Sequence, residues 1–327
     1  MKRTQLYLAG LLLVQVLLIL IFRSPFTGAD TGYTSRALLP ALDAITPSQI
    51  EIVGPDEDSI KLVRRDGAWH VDDLGGFPAD GAKLESMLDE LKEIRVRRPV
   101  VTSDRYHASF KVAEDDHEAR VRLWDDSEGD PDVDLIVGSS PNFRTSHVRL
   151  AGEDAVYEAR GVSPYDIRPA RSSWIARELV DADATGVVGV VLTNAAGGFE
   201  LAKQAGIWTV RAPARAQGAE LDQGKVDSLV RTAAEIRLSD GTGPVDEAAH
   251  GLANPAATLV LRIQDAADDP DGTAAVREVT VRIGDAPDDD DAKRYVTRDG
   301  FGFTGIVWES SVRRVLEEKL EELYPSG

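Results

Sequence analysis

Residues Asp66-Gly67-Ala68-Trp69-His70-Val71, read beside Ala205-Gly206-Ile207-Trp208-Thr209-Val210, decide how this chain is expected to fold. Asp66-Gly67 suits a two-residue hairpin turn, since both positions tolerate positive φ. Trp69 and Val71 then alternate onto one face of the strand that leaves the turn. A returning strand precedes each stretch, Ile60-Lys61-Leu62 in one case and Phe199-Glu200-Leu201 in the other. An amphipathic run follows each, from Asp80 to Ile94 and from Asp222 to Ile236. Asp80 and Asp222 are good N-caps. Leu84, Met87, Leu88, Leu91 and Ile94 recur at helical spacing, and so do Val226, Leu229, Val230, Ala233 and Ile236. Each tryptophan stands two residues from an alternating strand position, so core packing is preferred to an aromatic ligand platform.

Working outward, Ile50 and Ile52 open the first unit, and Val188 and Val190 are matched to them in the second. After each helix the sequence is strand-rich. Arg120 to Trp124 corresponds to Thr258 to Ile263, and Leu135-Ile136-Val137-Gly138 to Val281-Arg282-Ile283-Gly284. Thr145 to Leu150 turns at Gly152-Glu153-Asp154 into Val156-Tyr157; Arg294 to Thr297 turns at Asp299-Gly300 into Phe301 to Phe303. Helical segments around Trp174 to Val180 and from Ser311 to Leu323 are expected to close the units. The pattern predicts an α+β fold of two tandem duplicated units, residues 46–183 and 184–327. Each would be a mainly antiparallel sheet with packed helices.

From Leu6 to Phe22 the chain is apolar apart from polar Gln15. At about 1.5 Å per residue this stretch spans roughly 25 Å, enough to cross a hydrocarbon core with snorkelling ends. Lys2 and Arg3 precede it and Arg23 follows, which favours the N-terminus inside and the bulk of the chain outside the cytoplasm. A cleaved signal peptide is the competing reading, but Ser24 to Asp30 offers a poor cleavage site. A transmembrane signal-anchor over residues 1–23 and a juxtamembrane linker over 24–45 are therefore expected.

The 327 residues carry 56 acidic and 37 basic side chains, a net charge of -19, which opposes nucleic-acid binding and general attraction to anionic surfaces. There is no cysteine, so disulfides, thiolate metal sites, cysteine nucleophiles and a lipoprotein anchor are excluded. Asp269-Pro270-Asp271-Gly272 followed by Glu278 approaches a calcium loop, but Ala267 stands where the first ligand belongs. The run Asp288-Asp289-Asp290-Asp291 reads as a solvated loop. His70, His107, His117, His147 and His250 form no zinc spacing, although His107 and His250 fall in equivalent loops after the helices. Gly161-Val162-Ser163-Pro164-Tyr165 fails as a nucleophile elbow at its last position. No catalytic, cofactor or metal-ligating residue is assigned, and no cofactor is expected.

The order of strand, D-G-x-W-x-V hairpin, D-x-x-K helix, strands ending in I-x-G and aromatic hairpin resembles the bacterial family catalogued as domain of unknown function 4340. The residues that carry the resemblance are Ile60 to Leu62, Asp66 to Trp69, Asp80 to Ile94, Val137-Gly138 and Val156-Tyr157, with their counterparts in the second unit. The resemblance implies a single-pass bacterial inner-membrane protein with an extracytoplasmic (periplasmic) body, encoded beside an ABC-type transporter related to gliding-motility export. It offers no catalytic residues to carry over. The expectation is a non-catalytic accessory or scaffold protein that binds transporter or envelope subunits. The alternative is an envelope ligand- or ion-binding protein that uses the cleft between the two units.

Overall fold

The computed structural model describes residue 15 and residues 34–126, 129–180, 182–213, 220–264 and 275–325. The expected span from Leu6 to Phe22 lies outside the described residues apart from Gln15, and the Asp269 to Gly272 loop lies outside them too. Among the described residues, no helix is long and apolar enough to cross a membrane.

The first half of the body contains β1 (Arg36–Ala37), β2 (Gln49–Val53), β3 (Ser59–Arg65), β4 (Ala68–Val71), β5 (Phe77–Pro78), helix α1 (Gly81–Lys92) and β6 (Arg95–Val96). It continues with β7 (Ala119–Trp124), β8 (Val133–Val137), β9 (Thr145–Leu150) and β10 (Val156–Arg160). The second half contains β11 (Val187–Asn194), β12 (Gly197–Gln204), β13 (Ile207–Ala212), α2 (Gln223–Ala234) and β14 (Asp240–Pro244). It ends with β15 (Ala257–Gln264), β16 (Val276–Ile283), β17 (Lys293–Arg298), β18 (Phe303–Trp308) and α3 (Glu309–Glu317).

Two eight-stranded sheets result, ordered β10-β9-β8-β7-β2-β3-β4-β5 and β13-β12-β11-β15-β16-β17-β18-β14, while β1 pairs separately with β6. The pairings are antiparallel. The fold is α+β, dominated by these sheets. Read from opposite ends, the run β10-β9-β8-β7-β2-β3-β4 has the same order as β18-β17-β16-β15-β11-β12-β13.

Both tryptophan hairpins form for the reason their turns suggest. Asp66 and Gly67 have φ of 51° and 83°, and Ala205 and Gly206 have φ of 48° and 84°. Positive φ at both central residues gives the turn twist that matches the twist of flanking strands. Trp69 and Trp208 are then buried, as expected of inward strand positions. Each indole N–H donates to a carboxylate on the following helix, Glu85 for Trp69 and Asp227 for Trp208. The carboxylates of Asp80 and Asp222 accept the Lys83 and Lys225 backbone N–H groups, which caps α1 and α2. Both apolar stripes are buried, and one continuous core joins the two halves.

Four expectations need correction. Ile50 pairs with Leu62, and Val190 pairs with Leu201, so Val190 and Leu192 take the places of Ile50 and Ile52. The expected match of Val188 and Val190 is two residues out of register, because a slip of two leaves every side chain on its own face. A bulge between Val187 and Gly189 opens the pairing of β11 with β15.

The segment around Trp174 to Val180 is extended, not helical, after a 3-10 turn at Arg171–Ser173. Its backbone groups are satisfied by distant partners. Trp174 O accepts from Asp80 N–H, Ala176 N–H donates to Pro78 O, Leu179 N–H donates to Ile236 O, and Arg177 O accepts from Leu238 N–H. The C-terminal helix stops at Glu317 and does not reach Leu323, which belongs to a separate 3-10 turn, Leu320–Leu323. The Asn194 amide donates to the Val315 and Glu318 carbonyls there, doing for the helix end what further helix would otherwise do. The hairpin strand after Asp299-Gly300 likewise begins at Phe303 rather than Phe301.

The extended segment makes a seam between the halves. Beside it Phe77 is fully buried against Phe301 and Phe303, at ring-centroid distances of 5.4 and 5.3 Å. Gly241 lies over the same ring, so close that a Cβ there would sit 2.8 Å from Phe77 Cε2. Aromatic packing therefore fills the cleft between the units at this point.

Candidate functional site

Lys83 is a half-buried cation at the start of α1. The Asp80 cap places it in the first turn of α1, where its Nζ donates to Ser173 O (2.9 Å) and lies 4.3 Å from the Trp174 ring centroid. Burial holds its pKa below the ordinary lysine value; Asp80 and Asp166 oppose that shift and Arg177 reinforces it. A cleft of about 300 Å³ opens beside it, lined also by Ser163 and Asp166. Its chemistry is nonetheless that of a clasp. In the second half Lys225, also three residues after the cap, donates from Nζ to Tyr324 O (2.7 Å) and ties α2 to the closing segment in the same way. Ser163 Oγ accepts the Tyr165 N–H, and no histidine lines the cleft to activate it.

The histidines do not converge. His107 Nε2 contacts Asp154 O, and the His107 carbonyl accepts the Val112 N–H. The matching carbonyl in the second half belongs to Glu247, which accepts from Leu252 N–H. His250 instead corresponds to Phe110: their carbonyls accept from Asp285 and Ser139, the residues after Gly284 and Gly138. The expected equivalence of His107 with His250 is thus displaced by three positions, one turn of irregular chain. Their rings confirm the new match, His250 packing on Tyr295 and Phe110 on His147. His117 is buried with neither ring nitrogen in hydrogen-bond geometry. Burial lowers its pKa, with Arg120 and Arg122 adding to the shift; the nearby Ala113 and Glu114 carbonyls oppose it only partly. Among the described residues no group of three His, Asp or Glu side chains is placed to hold a metal ion. Asp290, in the acidic run, accepts instead from Lys293.

Several arginines are held by cross-strand ion pairs, such as Arg120 with Asp134, Arg122 with Glu51, and Arg262 with Glu200 and Glu278. One surface gathers arginines that lack such pairs. A groove of about 710 Å³ is lined by Arg95, Arg97, Arg98 and Arg160, with Glu93 and Glu158 as its only carboxylates and Ser35 on its wall. Arg95 donates to the Lys92 carbonyl at the end of α1. No ion pair holds Arg97, Arg98 or Arg160 among the described residues. Sequence reasoning passed over this site because whole-chain charge hides a local excess. The available signal was the run Arg95-Val96-Arg97-Arg98, which β6 and the chain after it lay beside β10.

Two antiparallel sheets with capped helices, clasped by lysines, make up the body, and the groove of Arg95, Arg97, Arg98 and Arg160 gives it a locally basic surface. The chain belongs to the family described as Domain of unknown function (DUF4340), whose model matches residues 69–255. That match begins in β4 and ends beyond β14, so it spans the seam rather than isolating either half. No curated protein and no solved structure matches the chain.

Proposed function

We propose that this protein is a non-catalytic scaffold, anchored by residues 6–22 in the bacterial inner membrane, whose body stands outside the cytoplasm. There it binds subunits of an ABC-type transporter or another envelope complex. The body is read as two copies of one ancestral unit. The observation that carries this reading is the set of interactions common to both halves: aspartate cap, indole-to-carboxylate bond and lysine clasp. Every shared element holds the framework together, and none is a nucleophile, a general base or a metal ligand. Selection that keeps a framework in duplicate suits a protein whose product is a shape offered to partners.

The test is purification of the intact, affinity-tagged chain from cross-linked native membranes, read by mass spectrometry. Transporter subunits should be enriched over an unrelated single-pass control. Repeated recovery of the chain without any of them would refute the reading.

A further inference from the structure

We propose that the arginine groove is a docking surface for the anionic headgroups of the membrane that holds the chain, and that it sets how the body stands on the bilayer. This rests on the reading of residues 6–22 as a membrane anchor.

Four arginines against two glutamates make the groove locally positive in a chain of net charge -19. Arg97, Arg98 and Arg160 are exposed and have no ion-pair partner among the described residues, so their charge is available to a ligand. Guanidinium groups match phosphate oxygens with paired donors. Next to Asn142 and Thr145 of the groove wall stand Phe143 and Arg144, and Phe143 is fully exposed at 107%. An aromatic ring held in water beside arginines costs free energy that an acyl-headgroup boundary would return.

Position supplies the remaining argument. Ser35 lies on the groove wall and β1 pairs with β6 at once, so the chain coming from the apolar segment enters the body at this groove. Twelve residues lie between Phe22 and Ser35, a path of thirteen Cα-to-Cα steps. At roughly 3.3–3.6 Å each these steps reach at most about 45 Å, so the groove can be brought to the bilayer surface without unfolding the body. The acidic remainder is repelled by an anionic leaflet while this face is attracted, which orients the body. Each arginine within a Debye length of such a surface strengthens contact about fivefold.

Because the chain has no cysteine, Val100→Cys gives a single labelling site beside the groove. Labelled full-length protein would be reconstituted in vesicles of phosphatidylcholine alone, or with phosphatidylglycerol, and energy transfer to headgroup-labelled lipid measured. Transfer should rise about twofold with phosphatidylglycerol and fall back in high salt. The rise should be lost in R97E/R98E, and weakened in F143S, a second variant that leaves every charge in place. Circular dichroism establishes that both remain folded, as exposed positions should. Equal transfer in both lipids, with the protein still floating with neutral vesicles, overturns the lipid-docking proposal and leaves the anchor standing. Failure to float with neutral vesicles overturns the anchor reading and this proposal together. Loss of a co-purifying acidic protein in R97E/R98E, without any lipid dependence, would assign the groove to a protein partner and also overturn it.

Discussion

The seam makes a prediction whose sign depends on the docking of the two halves. Phe77 is fully buried between Phe301 and Phe303 on one side and Gly241 on another. Phe77→Ala removes a whole ring from this packing and should cost about 3–5 kcal/mol. Gly241→Ala puts a methyl group 2.8 to 3.0 Å from three atoms of that ring, which the two other phenylalanines prevent from moving away. Overpacking of this kind costs about 1–3 kcal/mol. Gly241 is not among the positive-φ glycines, so alanine fits its backbone. Without a clash, the substitution would stabilise by about 0.4–1 kcal/mol through the unfolded chain. Gly241→Ala should therefore destabilise the wild-type protein and stabilise the Phe77→Ala variant. The coupling between them should amount to about 1–3 kcal/mol in favour of the double variant. Urea unfolding of the full chain, followed by tryptophan fluorescence, measures it, and the absence of cysteine removes disulfide exchange as a complication. Effects that add to within about 0.5 kcal/mol would show that the ring and the glycine do not touch. The seam described above would then be wrong.

Asp80→Ala and Asp222→Ala should each lower stability by about 1 kcal/mol, since each removes the side-chain acceptor of one helix N-terminus; unequal losses beyond threefold in urea midpoints would break the equivalence of the two caps. His117 binds its proton less tightly when folded than when unfolded, so the unfolded chain takes up more protons below the ordinary value of 6.5. Its contribution is fully present above pH 6.5 and should decline as pH falls from there towards the folded value. His117→Gln should flatten that part of the stability-pH curve, and an unchanged slope would refute the assignment.

What could be read from the chain depended on how far apart the interacting groups lie in sequence. The hairpin turns, caps and helix stripes are satisfied within about one or two turns of chain, so Asp66-Gly67, Asp80 and the Leu84 to Ile94 stripe announced themselves. The two-residue register of β11 did not, because strand periodicity is blind to even shifts. Trp174 to Val180 reads as a helix because its apolar residues fit that spacing as well as any. Its true partners, Pro78 to Asp80 and Ile236 to Leu238, lie far away on both sides in sequence, and no local rule counts hydrogen bonds made there. The arginine groove shows the same limit acting on function. Arg97 and Arg98 are neighbours in sequence, but Arg160 joins them only because β10 lies alongside. The exposed ring of Phe143 comes from the loop that enters β9. A net charge of -19 argued against an anionic surface for the average residue, whereas binding is decided by the face that approaches. In a chain this acidic, an unpaired group of arginines has many carboxylates that could have neutralised it. Those carboxylates went to Arg120, Arg122, Arg262 and Arg294 instead. The gathering of Arg97, Arg98 and Arg160 on one face, more than the number of charges, is the physical reason to look for an external anion at the groove.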